Sequence, residues 1–161
     1  MSEAPNSQPS PELFFSTLNA YQRTEALKAA IELELFTAIA KGNQTSETIA
    51  AACAASSRGV RILCDFLVVI GFLTKEADRY CLTQDSAFFL DRRSPAYLGG
   101  AIGFLLSPMT TERWTDLASV VRNGGAPDTE ASTVTPEHPV WVEFARSMAP
   151  MMAMPTAPTA P

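Results

Sequence analysis

The stretch SSRGVRILCDFLVVIGFLTKEADRYCLT, residues 56–83, decides the fold. Over residues 58–70 the apolar side chains Val60, Leu63, Cys64, Leu67, Val68 and Ile70 recur at the i, i+3, i+4, i+7 spacing of a helix with one face in a core. Gly71 predicts the stop, since glycine accepts the left-handed backbone that a helix C-terminal cap requires. Two β-prone runs follow, Phe72-Leu73-Thr74 and residues 80–83, joined by the polar corner Lys75-Glu76-Ala77-Asp78-Arg79. That pattern reads as a hairpin. A buried helix feeding a small hairpin is the back half of a winged helix-turn-helix.

The front half lies just upstream. Thr45 or Ser46 can cap a helix by accepting a hydrogen bond from a free backbone N–H, and Glu47 suits the positive end of the helix dipole. The spacing predicts a helix over residues 47–54, with Ile49, Ala50 and Cys53 as its apolar stripe and Ala55-Ser56-Ser57 as the turn into the next helix. The expected fold is therefore mainly α: a winged helix-turn-helix with a small β-hairpin wing, plus additional dimerisation helices.

Those extra helices flank the block. Residues 1–10 carry little to bury and read as a disordered lead-in. Ser10-Pro11-Glu12 then opens a helix whose stripe is Leu13, Phe14, Leu18 and Tyr21. Beyond Ala26 the pattern becomes apolar around most of the circumference, through Leu27, Ile31, Leu33, Leu35, Phe36 and Ile39, until Gly42-Asn43 closes it. Such a segment is buried on more than one side, and in a small domain another subunit is an economical second side. Phe14, Leu18, Tyr21, Leu27, Ile31 and Leu35 are the expected dimer contacts.

Downstream, Asp91-Arg92-Arg93 reads as a solvated charged corner, and Ser94-Pro95 opens a helix predicted to run to Leu106. Gly99, Gly100 and Gly103 lie in it, but they follow no predicted strand and miss the G-x-G-x-x-G spacing, so close helix packing explains them better than nucleotide binding. Residues 112–121 form an amphipathic helix through Trp114, Leu117, Ala118 and Val121, with a glycine cap at Gly124-Gly125. A last helix is expected from Pro139 through Met148, and residues 153–161 form a proline-rich tail that cannot stay helical. Residues 11–152 are the expected domain.

Composition narrows the function classes. The 161 residues are 47% hydrophobic and only 18% charged, with 12 Lys+Arg against 17 Asp+Glu, a net charge of −5. Phosphate contacts dominate nucleic-acid affinity and need a basic footprint, which this balance lacks. Arg58 and Arg61 stand where a DNA reader places base contacts, but Glu76 and Asp78 in the wing would face the phosphates. Cys53, Cys64 and Cys81 sit in apolar contexts and read as buried thiols in a reducing compartment. One histidine, His138, cannot build a histidine metal site. No apolar run reaches the roughly 20 residues that cross a bilayer, and no secretory leader opens the chain, so a cytoplasmic protein is expected. No catalytic constellation, P-loop or G-x-S-x-G is present.

KAAIELELF (residues 28–36), TSETIAAAC, RILCDFLVVIGFL, YCLT, ERWTDLASVVRNGG (112–125) and HPVWVEFARSM (138–148) occur in order. Together they resemble the N-terminal domain of the small-molecule O-methyltransferases of plants and bacteria, which include caffeate, hydroxyindole and polyketide-tailoring enzymes. The resemblance implies an intertwined homodimer that does not bind DNA. It also implies a wall of the acceptor pocket, contributed here by Phe104, Met109, Trp114, Met148, Met151 and Met152, facing a small aromatic or polyketide-like acceptor. In such enzymes S-adenosylmethionine and the catalytic base belong to a following Rossmann-like domain with a G-x-G-x-G turn. These 161 residues hold no such motif, so the resemblance implies neither a cofactor-binding nor a catalytic residue within them. A ligand-responsive DNA-binding regulator and a stand-alone dimeric binder of apolar ligands are the rival readings.

Overall fold

The computed structural model describes residues 9–125, together with Val142 and Ala145, which are helical. The predicted last helix otherwise lies outside the described residues, as does the proline-rich tail. Helices α1 (Glu12–Leu18), α2 (Ala20–Glu32) and α3 (Leu35–Ala40) lead into α4 (Ser46–Ala52) and α5 (Ser57–Val69). The wing is β1 (Leu73–Glu76) and β2 (Arg79–Leu82), paired antiparallel with Leu73 opposite Leu82 and Glu76 opposite Arg79. Then come α6 (Gln84–Phe89), a 3-10 turn (Gly99–Ala101) running into α7 (Ile102–Leu105), α8 (Pro108–Thr111), a second 3-10 turn (Glu112–Trp114) and α9 (Leu117–Asn123). The mainly α winged-helix architecture is as the sequence leads one to expect.

Local chemistry sets the boundaries. Thr45 caps α4 reciprocally: its hydroxyl accepts from Thr48 N at 3.3 Å while Thr48 Oγ1 accepts from Thr45 N at 3.1 Å. Ser56 caps α5 by accepting from Gly59 N at 3.1 Å. Gly71 ends the helix with φ +86°, the left-handed conformation expected of it. Thr83 caps α6, and Ser86, which is buried, donates to the carbonyl of Phe72 at 2.6 Å, tying α6 to the start of the wing.

The core is one cluster. Val60, Cys64 and Leu67 from α5 meet Ile49 and Ala50 from α4, Leu35, Phe36 and Ile39 from α3, and Leu73 and Tyr80 from the wing. Tyr80 is the largest fully buried side chain. Its hydroxyl donates to Asp65 Oδ1 at 2.8 Å, and its backbone N donates to Gln44 O at 2.7 Å. Lys75 Nζ donates to the same carboxylate oxygen at 2.6 Å and sits 4.8 Å from the centroid of the Tyr80 ring. The hydrogen bonds from Lys75 and Tyr80 hold the Asp65 carboxyl below its ordinary range.

Four expectations need correction. The apolar segment after Ala26 is two helices, not one, because Glu34 takes a left-handed backbone at φ 53°. That corner is held from far along the chain: the Arg92 guanidinium pairs with the Glu34 carboxylate, and Arg92 N donates to Thr37 Oγ1 at 3.0 Å. Consequently the 91–93 turn is not merely solvated, and Arg93 in turn pairs with Asp91 at 2.9 Å. The helix expected from Ser94 starts only at the 3-10 turn, because Leu98 N bonds back to Phe89 O at 2.8 Å and Ser94 Oγ to Phe88 O at 2.6 Å. Within it, Gly99 lies under the Tyr97 ring, where an added Cβ would come within 2.2 Å of the phenol oxygen. The helix expected over residues 112–121 is interrupted at Thr115-Asp116, where Asp116 caps α9 by accepting from Ser119 N at 3.2 Å.

The Asp65 cluster yields a test. Tyr80→Phe removes a charge-assisted hydrogen bond without touching the ring and should cost roughly 1 to 2 kcal/mol in urea unfolding. A group whose folded pKa is depressed adds stability above its unfolded value and loses it as pH falls through the folded one. The stability gap between the wild type and Asp65→Asn should therefore be open at pH 7 and close as the pH drops below the ordinary carboxylate range.

Candidate dimer interface and acceptor-facing surface

α1 buries none of its residues. Leu13, Phe14, Phe15, Leu18 and Tyr21 are between 54% and 78% exposed. The start of the helix is specified locally, with Glu12 N donating to Ser10 Oγ at 3.2 Å. Seven residues are nevertheless too few to hold a helix in water without packing, so α1 needs something to lie against. Phe14, Leu18 and Tyr21 follow i, i+4, i+7, and Phe14 and Phe15 meet edge to face with ring centroids 5.2 Å apart. A contiguous apolar patch of this kind marks a protein interaction site.

The six expected dimer contacts therefore divide. Phe14, Leu18 and Tyr21 face outward. Leu27 and Ile31 are half-buried against the protomer's own core. Leu35 is corrected out of the interface: it has no exposed surface and packs beneath α4, α5 and the wing. The apolar circumference of α3 arises because its own protomer encloses it, with Leu35 through Ile39 all buried.

The residues expected at an acceptor pocket divide too. Phe104 is half-buried in α7, and its carbonyl accepts from Thr110 Oγ1 at 3.2 Å, bending α7 onto α8. Met109 belongs to α8, and Trp114 is 69% exposed at the end of the second 3-10 turn. These three occupy one run of short turns, residues 102–114. Met148, Met151 and Met152 lie outside the described residues. Sequence reasoning missed exposed Phe88 on α6, and the open groove of about 490 Å³ that it lines with Gln84, Asp85, Ala87 and Phe89.

The face that reads DNA in a winged helix is not built for phosphate here. On α5, Ile62 and Val69 are exposed, and Arg61 lies 3.6 Å from Asp65. Glu76 and Asp78 are exposed at the wing. Cys64 is an inert core thiol, its pKa pushed by burial up to about 12. Among the described residues no group of His, Cys, Asp and Glu could hold a metal ion, and no helix is long and apolar enough to cross a membrane.

A winged-helix module whose first helix leaves a large apolar face bare has the form of a dimerisation domain. Residues 15–92 match the O-methyltransferase dimerisation domain family. The chain is 57% identical to a Nostoc punctiforme protein assigned as an O-methyltransferase, at a TM-score of 0.83, with 91% of this chain and 44% of that one covered. Human N-acetylserotonin methyltransferase, solved in complex with S-adenosylmethionine, is 25% identical at a TM-score of 0.64, with 92% and 44% covered. The tetracenomycin polyketide synthesis 8-O-methyl transferase of Streptomyces glaucescens is 32% identical over 106 residues, 65% of this chain and 31% of that one. The chain thus spans less than half the length of these relatives.

Core and interface respond differently to charge. Phe14→Asp should leave the fold intact and shift the protein toward monomer, because its cost of several kcal/mol arises only where a partner covers the carboxylate. Leu35→Asp places the same charge in the protomer core and should unfold the chain. Sedimentation combined with circular dichroism separates the two.

Proposed function

We propose that the chain forms a homodimer through α1 and serves as the dimerisation half of a small-molecule O-methyltransferase. S-Adenosylmethionine and the catalytic base then belong to sequence that the relatives have and these residues do not. Phe104, Met109 and Trp114, together with Met148, Met151 and Met152, form one wall of the pocket. The acceptor is an aromatic or polyketide-like hydroxyl, for which aromatic rings and thioethers provide an apolar, adaptable surface. The observation that carries the reading is α1, a helix of mostly apolar side chains with no residue buried. The family match over residues 15–92 supports it.

The test has two parts. The chain should sediment as a dimer at micromolar concentration, and titration calorimetry should detect no S-adenosylmethionine binding to it. Joined to the remainder of the Nostoc punctiforme protein, it should support methyl transfer to a phenolic acceptor, and Phe104→Ala should raise KM for that acceptor several-fold. A monomeric chain would sink the reading. So would duplex DNA binding that weakens steeply with salt, which belongs to the regulator alternative.

A further inference from the structure

α9 poses the same problem as α1. It too is seven residues long and buries none of them, and Leu117, Val121 and the preceding Trp114 are between 47% and 72% exposed. The two apolar stripes are spaced alike in opposite directions. Along α1 and into α2 the order is Phe14, Leu18, Tyr21, in steps of four and three; backward from the end of α9 it is Val121, Leu117, Trp114, again four and three. Laid antiparallel, the stripes put Phe14 opposite Val121 and Leu18 opposite Leu117, with Tyr21 toward the end of α9 that follows Trp114.

Charge selects the same orientation. Glu12 is the only charged residue of α1, and Arg122 the only one of α9, which is preceded by the acidic cap Asp116. Antiparallel packing brings Glu12 to the Arg122 end. Parallel packing would bring Glu12 to Asp116, two carboxylates together at a helix start.

We propose that α9 is the seat for α1 of a second copy of this chain, packed antiparallel. The proposal rests on the reading that the chain dimerises through α1, and it names the surface that α1 meets. Under a two-fold axis the contact occurs twice, each protomer giving one α1 and receiving one. Aromatic side chains bury about 150–250 Å² each, so the exposed portions of Phe14, Phe15, Tyr21 and Trp114 from both protomers supply on the order of 800 Å². Leu18, Leu117 and Val121 carry the total to the roughly 1,200 Å² at which stable interfaces begin.

Cysteine cross-linking of the whole chain tests it. Under mild oxidation Leu18→Cys combined with Leu117→Cys, and Phe14→Cys combined with Val121→Cys, should each run mainly as a covalent dimer on a non-reducing gel. The parallel-register pair, Leu18→Cys with Val121→Cys, and every single variant should not. Glu12→Lys and Arg122→Glu should each weaken the dimer several-fold, and the two together should restore it. If the wild type sediments as a dimer but the antiparallel pairs fail to link, or link within one chain, α9 is not the seat of the partner's α1 and the dimer reading survives. If the wild type is monomeric, both fall.

Discussion

The fold depends on how one phenol is buried. Tyr80 sits on a two-stranded hairpin, and two strands alone are marginal in water. Its ring supplies apolar area to the core while its hydroxyl reaches the carboxylate of Asp65 near the surface, so burial leaves no polar atom unpaired. Its backbone N–H meets the carbonyl of Gln44 just ahead of α4. One residue thus joins the wing to the second helix of the helix-turn-helix and to the lead of the first. Lys75, bonded to the same carboxylate and lying against the ring, closes the cluster from the solvent side.

With the wing fixed, the interior has room for α3 but not for α1. Both helices are mostly apolar, five residues of six in LFTAIA and four of seven in ELFFSTL. Their environments are opposite: α3 has Leu35 through Ile39 buried, and α1 has nothing buried. What separates them is connection. Glu34 turns the chain sharply so that α3 passes between α4, the wing and α6, and Arg92 and Thr37 hold the turn closed. α1 precedes that corner and extends away from the core, so among the described residues its apolar surface stays bare.

This explains how much could be read from the sequence. The helix-turn-helix and wing were legible because their boundaries are local: Thr45 and Ser56 cap, Gly71 stops, and two β-prone runs about a polar corner mark the strands. The likeness to O-methyltransferase dimerisation domains was legible in the ordered segments from KAAIELELF onward. The break at Glu34 was not, since its cause lies 58 residues away at Arg92. Leu35 was assigned to a partner for the same reason, as an apolar residue at an apolar-rich position carries no mark of which protein covers it. Phe14, Leu18 and Tyr21 were legible as a face, though only the structure shows that face bare. Phe104, Met109 and Trp114 were expected by resemblance alone, because apolar side chains in short turns have no periodicity to betray a role.

The surface shows why a fold suited to DNA does other work here. Arg61 and Lys75 attend Asp65, Arg92 attends Glu34, Arg93 attends Asp91, and Arg79 is bonded to Gln44. Each of these cations is spent on a neighbour within the protomer, and exposed pairs of this kind add little stability and little outward field. The unmet demand on the surface is apolar, concentrated on α1 and on α9. Burial of apolar area carries no sequence code and no salt dependence like that of phosphate binding. It does reward a partner with matching stripes, and under a two-fold axis an identical chain provides them.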